Sequence, residues 1–182
     1  MASVVVIYHS GYGHTTKQAE AVAKGASAEL IAISVEGEIT DAEWAKLDAA
    51  SAIIMGSPTY MGSVSWQFKK FADASSKRWF TQAWKNKIFA GFTNSATMNG
   101  DKGSTISYLM TLAMQHSGVW VGTGLMPANS KAAKHGDVNF VGGFSGALMT
   151  SPSDSSADEV NEGDLETARL LGVRVAEFAS KR

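Results

Sequence analysis

The chain has 182 residues, is 45% hydrophobic and carries a formal net charge of −1. This length suits one domain with a sizeable core, and the balanced charge, with no cationic run, argues against nucleic acid and anionic membrane surfaces as partners. The absence of cysteine excludes disulfides, thiol catalysis and thiolate metal sites, and we expect no bound metal. We find no signal-peptide pattern and no apolar run of the about 18 residues that a membrane helix needs, so we expect a cytoplasmic protein.

The first segment is an apolar, β-rich run, Val4–Tyr8, followed by a short loop of Ser, Gly and His and then by a helical pattern. A loop between a strand and a helix directs free backbone N–H groups to the positive end of the helix dipole, where phosphate binds without a basic side chain. Hydroxyl groups add donors, and glycines allow close backbone approach. The predicted phosphate-binding residues are Ser10, Gly11, Tyr12, Gly13, His14, Thr15 and Thr16.

Three phosphate-binding motifs compete for this loop. A Walker A loop is disfavoured because the glycine spacing differs and Lys17 comes too late. A dinucleotide fingerprint is weakened because Thr16 stands where the third glycine belongs, although Glu36 lies at about the distance of a ribose-binding acid. A loop of amides and hydroxyls for a terminal phosphate monoester is favoured. An ordinary tight turn without a ligand is the remaining alternative.

Short β-rich runs alternate with helical patterns along the rest of the chain, which predicts a parallel sheet covered by helices on both faces. Further strands are predicted over residues 29–35, 52–56, 87–93 and 119–121. Ser57 and Pro58 are expected to end the third strand. Helices are predicted from a capping box at Thr40 to residue 47, and over residues 65–75, 104–117 and 162–181. Because no repeat or linker is visible, residues 1–182 are predicted to form a single domain.

Two segments do not fit this alternation. Residues 94–103 form a polar, glycine-bearing loop directly after the fourth predicted strand. Residues 122–161 are a much longer excursion, rich in Gly, Ser and Asp, without convincing periodicity. Loops beyond about 12–15 residues in compact domains usually bind something, cover a site or stay flexible. The long segment is therefore a candidate to roof a site, with disorder as the alternative.

The loops after the first, third and fourth predicted strands are expected at one edge of the sheet, because the carboxyl ends of parallel strands share an edge. Ligands of open parallel sheets bind beyond this edge. The second of these loops offers an aromatic and a thioether to the face of a flat ring. The third offers amides and small polar groups to a ring edge. Together with the phosphate loop they describe a mononucleotide with a large planar head. The predicted ring-binding residues are Pro58, Thr59, Tyr60, Met61, Gly62, Thr93, Asn94, Ser95, Ala96, Thr97 and Gly100.

These motifs resemble those of the flavodoxin-like proteins, and most of all their NAD(P)H:quinone oxidoreductase branch of the tryptophan-repressor-binding-protein type. The resemblance is carried by residues 8–15, residues 56–62, the pattern Phe68-x-x-Phe71-x-Asp73, residues 93–97, residues 116–118 and residues 142–146. It covers most of the chain. The resemblance implies a flavodoxin-like three-layer sandwich with a five-stranded parallel sheet in the order 2-1-3-4-5.

The resemblance also implies non-covalent FMN, with its 5′-phosphate on residues 10–16, its ring beside residues 58–62 and its edge or ribityl chain at residues 93–97. NAD(P)H would deliver hydride and a quinone would accept it in a ping-pong reaction. A homo-oligomer, dimer or tetramer, is implied as well. The chain departs from the family pattern at Tyr60, where relatives often have a basic residue, at Ala96, where they often have Gly, and in a shortened segment between the second and third strands.

Two residues are candidate catalytic groups. Tyr60 leaves its strand at the Pro58 turn, and His116 aligns with a family histidine near the substrate face. A helix C-terminal cap is the alternative role for His116. The single acid Asp101 and single base Lys102 near the ring loop favour two-electron chemistry over one-electron transfer. A flavodoxin-type FMN electron carrier for a protein partner is the alternative function, and a non-redox phosphate-binding or structural protein is a third.

Overall fold

Residues 3–181 are described by the computed structural model, and seven strands within them join one sheet. The strands are β1 (Val4–Tyr8), β2 (Glu29–Ala32), β3 (Ala52–Tyr60), β4 (Ser63–Val64), β5 (Ile88–Ser95), β6 (Val119–Trp120) and β7 (Ala147–Thr150). The helices are α1 (His14–Ala26), α2 (Asp41–Ala49), α3 (Trp66–Ala74), α4 (Ser76–Phe80), α5 (Lys102–Gln115) and α6 (Glu162–Ser180). No helix among these residues is long and apolar enough to cross a membrane.

The main sheet is parallel, with the strand order β2-β1-β3-β5-β6. This confirms the predicted α/β class and the predicted order, in which β5 and β6 are the fourth and fifth strands. The predicted capping box is also present, because the Thr40 side chain accepts from the Glu43 N–H and the Glu43 carboxylate accepts from the Thr40 N–H.

The third strand is longer than predicted, because Ser57 and Pro58 do not end it. β3 continues to Tyr60, and Pro58 pairs in register with Asn94 of β5. The pairing of β3 with β1 ends at Gly56, so Pro58 lies where β3 has an open side. A proline is tolerated in such an edge position because no ladder N–H is required there.

The segment 122–161 contains a strand that the sequence analysis did not predict. β6 pairs with Ile88 and Phe89 at the start of β5, whereas β7 pairs with residues 92–95 at its end. The fifth strand position is therefore shared by two short strands, with residues 121–146 running between them. Disorder, the alternative for this segment, does not apply to β7, whose four residues were too few to show a period.

A buried apolar cluster lies on each face of the sheet. Val4, Val6 and Tyr8 of β1 belong to one cluster, and Val5 and Ile7 belong to the other, because successive side chains of a strand point to opposite faces. The helix residues of the first cluster include Ala19, Val22, Leu171 and Val175, and those of the second include Leu47, Phe68, Phe71 and Leu109. Helices on both faces therefore bury the sheet as predicted.

Helices α1 and α6 are in backbone contact through glycines. A Cβ atom at Gly172 would lie 2.1 Å from the backbone oxygen of Val22, and one at Gly25 would lie 1.9 Å from that of Arg169. Only glycine permits this approach. Both helices follow strand ends, so their N-termini lie together at the carboxyl edge of the sheet.

Candidate functional site

A cavity of about 550 Å³ opens at the carboxyl edge of the sheet, where β1, β3, β5 and β7 end. Its volume falls within the range of about 300–1,000 Å³ that is usual for cofactor and small-molecule sites. The lining residues are Ser10, Tyr12, His14, Thr15, Pro58, Thr59, Tyr60, Asn94, Ser95, Ala96, Ser151, Pro152, Ser153, Ser155, Ser156 and Ala157. The three predicted loops therefore meet in one cavity, and a fourth segment joins them.

The loop after β1 is organised by a serine hydroxyl. Ser10 Oγ accepts hydrogen bonds from the backbone N–H groups of Gly13, at 3.1 Å, and Thr16, at 3.3 Å. Gly13, with a φ of 90°, turns the chain into α1. The hydroxyl thus acts first as an acceptor that shapes the loop, while its own proton stays available to a ligand.

The start of α1 offers backbone donors to an anion. Among residues 3–181, the N–H groups of Tyr12, His14 and Thr15 have no hydrogen-bond acceptor, and the N-cap Gly13 provides no side-chain cap. No acidic side chain lies in the first turn. Such a helix N-terminus, with unpaired N–H groups facing a cavity, is the arrangement that binds phosphate groups in proteins. The loop therefore fits the terminal phosphate that the sequence analysis favoured.

The fourth wall of the cavity is formed by residues 151–157, which the sequence analysis did not identify. His14 Nε2 lies 3.0 Å from the backbone oxygen of Ser155, so this nitrogen carries the proton and donates to the carbonyl. Lys17 Nζ lies 2.7 Å from an Asp158 carboxylate oxygen. These contacts hold the segment against the phosphate loop. The available signal was a serine-rich stretch after a short apolar run, inside the segment already predicted to roof a site.

Tyr60 forms the aromatic part of the cavity wall. Its ring stands edge-on to that of Tyr12, with ring centroids 6.3 Å apart. The Gly11 backbone faces the Tyr60 hydroxyl, and burial raises the pKa of the Tyr60 phenol. Met61, with a φ of 48°, is fully exposed and does not line the cavity in this structure. The ring-face loop therefore contributes an aromatic side chain and leaves its thioether in solvent.

The end of β5 contributes both structural and lining residues. Thr93 Oγ1 donates to the Ser57 carbonyl at 2.7 Å and lies 2.8 Å from Thr59 Oγ1. Asn94 Nδ2 donates to Ser151 Oγ at 2.8 Å, which joins the ends of β5 and β7. Thr93 is thus a buried link between strands, whereas Asn94 reaches the cavity wall. Ser95 and Ala96 complete this side of the cavity. The predicted residues Gly11, Gly13, Thr16, Met61, Gly62, Thr93, Thr97 and Gly100 are absent from its lining.

His116 is not brought to the cavity. Helix α5 runs back from the carboxyl edge, and His116 is its C-terminal cap at the amino edge, just before β6. The side chain is buried beside Trp84, with Nε2 2.9 Å from Ser75 Oγ. Burial lowers the pKa of His116 to about 4. Within the chain, His116 is a neutral, packed cap, and the cationic form expected of a C-terminal cap is disfavoured.

The expected balance of charge between Asp101 and Lys102 near the ring loop is not present at the protein surface. Lys102 is only 1% exposed, and its ammonium group turns inward from the first turn of α5. Asp101, by contrast, remains exposed. The two charges therefore do not balance each other at the surface of this loop, because one of them is buried beneath it.

Comparisons with known proteins agree with this geometry. Residues 12–133 match the family described as NADPH-dependent FMN reductase. Flavodoxin FldP of Pseudomonas aeruginosa (strain UCBPP-PA14) is 52% identical over 181 residues, covering 100% of this chain and 98% of that protein. An NAD(P)H dehydrogenase (quinone) of Rhizobium rhizogenes (strain K84) is 31% identical over 200 residues, covering 100% of this chain and 98% of that protein.

A solved structure shows the same fold. The crystal structure of the flavodoxin, WrbA-like protein from Agrobacterium tumefaciens superposes with a TM-score of 0.84 at 51% identity, covering 100% of this chain and 99% of that one. The fold, the strand-end cavity and the full-length similarities all point the same way. The chain accordingly belongs to the flavodoxin-like NAD(P)H:quinone oxidoreductase family of the tryptophan-repressor-binding-protein type, as its motifs indicated.

Proposed function

We propose that this chain binds FMN in the strand-end cavity and transfers hydride from NAD(P)H to a quinone. The observation that carries the FMN proposal is the set of unpaired N–H groups of Tyr12, His14 and Thr15 in the same cavity as the Tyr60 ring. The phosphate would lie at the start of α1, and the planar head would lie between Tyr60 and the end of β5. When bound, FMN supplies the hydride chemistry.

The protein residues would position the cofactor and exclude water from its phosphate end. Ser10 holds the loop amides in place, and the segment 151–157 covers them through the His14 contact. The ring end remains more open, because Tyr60 is 38% exposed and Met61 lies wholly in solvent. An open ring face is what a ping-pong reaction requires, since the nicotinamide and the quinone would use it in turn.

The substrates of this proposal rest on the family and on the names of relatives. The matched family is described as NADPH-dependent, and the Rhizobium rhizogenes relative is named for a quinone. A homo-oligomer, dimer or tetramer, and a cytoplasmic location belong to the same proposal. His116 is given no part in it, because the chain places this residue at the opposite edge of the sheet.

A flavodoxin-type electron carrier is the second candidate function. Two observations favour it: the relative that is 52% identical is named a flavodoxin, and Asp101 is exposed near the ring loop while Lys102 is buried. An acid near the ring disfavours the anionic reduced flavin by charge repulsion. In this case FMN would occupy the same cavity, and a protein partner would replace the quinone.

One experiment separates these candidates. The purified protein is titrated with FMN, and the complex is mixed anaerobically with NADPH or NADH while the flavin absorbance is followed. Bleaching within seconds, reversed by benzoquinone, is the result expected of the enzyme. Bound flavin that neither nucleotide reduces would support the electron carrier and refute the enzyme. No FMN uptake at saturating concentration would refute both functions.

A further inference from the structure

Lys102 is a buried lysine directly beneath the ring-edge loop, which we define as residues 94–100. Its ammonium group donates to the backbone oxygens of Thr97, at 2.6 Å, and Met98, at 3.0 Å, and to Thr150 Oγ1, at 3.2 Å. All three donors of the ammonium group are therefore used. Burial lowers the pKa of Lys102 to about 8, so the group is still mainly charged at neutral pH.

These contacts fix the direction of two peptide groups in the ring-edge loop. In a trans peptide the C=O and N–H point in opposite directions, so carbonyls drawn inward to Lys102 turn the N–H groups of Met98 and Asn99 outward. Neither N–H has an acceptor among the residues that the structure describes. The ring-edge loop thus presents two backbone donors on its exposed side, next to the Ser95 and Ala96 wall of the cavity.

A second hydrogen bond and a close glycine contact restrain the loop in this conformation. Thr97 O also accepts from Ser95 Oγ at 3.1 Å. Gly100 has a φ of 52°, and a Cβ atom there would lie 2.0 Å from Ser95 Oγ. The Thr97 carbonyl is therefore held from two sides.

A buried carboxylate, that of Asp164, lies beyond Thr150 and interacts with the charge of Lys102. Asp164 is 1% exposed and accepts from the Thr150 N–H at 2.9 Å and from His135 Nε2 at 3.0 Å. Thr150 stands between the two charges, and within residues 3–181 no direct ion pair joins Lys102 to a carboxylate. The ring-edge loop therefore faces the positive end of this buried charge pair.

We propose that Lys102 is a positioning residue for the flavin: it holds the N–H groups of the ring-edge loop outward and places a buried positive charge behind them. This inference rests on the proposed binding of FMN. Because reduction adds electrons to the ring, donors and positive charge at its edge stabilise the reduced form more than the oxidised form. Lys102 therefore raises the reduction potential of the bound flavin and strengthens its binding when reduced.

The test compares Lys102→Met, which removes charge and donors, with Lys102→Gln, which removes the charge and keeps donors. Lys85→Met is the control, since Lys85 is an exposed lysine before the start of β5. The readouts are the NMR order parameters of the amides of residues 97–99 in FMN-free protein and the two-electron midpoint potential of bound FMN. In Lys102→Met we expect these order parameters to fall below about 0.6, the range of flexible backbone. We also expect at least tenfold weaker binding of reduced relative to oxidised FMN, which is a potential lower by about 30 mV.

Lys102→Gln is expected to lower the potential similarly with a smaller fall in the order parameters, and Lys85→Met is expected to match the wild type in both readouts. A wild-type potential in both Lys102 variants would overturn the inference, whatever the order parameters show. Failure of both variants to fold would assign Lys102 to stability alone and would also overturn it. A wild-type chain that takes up no FMN would instead refute the proposed function.

Discussion

The two ends of the cavity are built differently. At the phosphate end, a serine hydroxyl organises the loop, a helix N-terminus supplies donors, and the segment 151–157 lies against them. At the ring end, Tyr60 is partly exposed and Met61 is in solvent. There the buried Lys102 holds the ring-edge loop by hydrogen bonds to its backbone carbonyls. Under the proposed function, the phosphate end would provide affinity by a preformed anion site, whereas the ring end would adjust the properties of the cofactor. Substitutions at the two ends should therefore change different measured quantities.

The largest effect is expected at the phosphate end. Thr15→Glu places a negative charge at the start of α1, where the unpaired N–H groups lie, and should weaken FMN binding at least 100-fold, or about 2.7 kcal/mol. Fluorescence titration with FMN measures this change. Thr111→Glu, on the exposed face of α5, is the matched control and should bind FMN like the wild type. Equal affinities in the two variants would contradict the phosphate assignment.

A smaller loss is expected where the ring-edge loop closes. Gly100→Ala introduces a Cβ atom 2.0 Å from Ser95 Oγ at a φ of 52°, so the loop must distort and FMN binding should weaken about tenfold. Gly103→Ala is the control, because nothing lies within 4 Å of its Cβ position at the start of α5. This variant should keep the wild-type affinity and unfold at the same or higher temperature. Wild-type affinity in Gly100→Ala would argue against a role for this loop.

A change in spectrum rather than in affinity is expected at the ring face. Tyr60→Ala removes the aromatic wall but leaves the phosphate site intact, so FMN affinity should fall only about threefold while the visible flavin spectrum and the turnover change. Tyr60→Phe keeps the ring and should resemble the wild type more closely in both. Identical spectra and turnover for Tyr60→Ala and the wild type would refute the contact between Tyr60 and the flavin.

No effect on FMN is expected at the opposite edge of the sheet. His116→Gln should bind FMN normally but should lose part of the acid sensitivity of folding. The folded pKa of His116 is about 4, below the usual value, so the unfolded state binds more protons and stability falls as pH drops from 6.5 to 4. Denaturant titrations at pH 7 and pH 4.5 should show about 2 kcal/mol less acid destabilisation in the variant. An FMN affinity of His116→Gln that differs from the wild-type value would contradict the placement of His116 away from the FMN site.

Most of the fold followed from local patterns. Buried strands such as β1, β3 and β5 are continuous apolar runs, and the helices between them have clear periodicity or caps, so order and class could be predicted. β7 could not be predicted, because a strand of four residues is too short to show a period. The extension of β3 through Pro58 depends on which neighbours the strand has at that point, and this is a property of the assembled sheet.

The cavity was predicted in part for the same reason. The phosphate loop is local in sequence, and its strand–loop–helix context is enough to place it. The wall at residues 151–157 depends on β7 and on contacts between distant segments, such as His14 with Ser155. The direction of Lys102 and the distance of His116 from the cavity are likewise set by packing. Charge counts along the sequence therefore misjudged the ring loop, since they cannot tell an exposed lysine from a buried one.

The most direct test is a crystal structure of the protein with FMN. We expect the phosphate oxygens to lie within hydrogen-bond distance of the N–H groups of Tyr12, His14 and Thr15, with the ring against Tyr60. Flavin bound elsewhere, or bound in this cavity with its phosphate away from the start of α1, would contradict it.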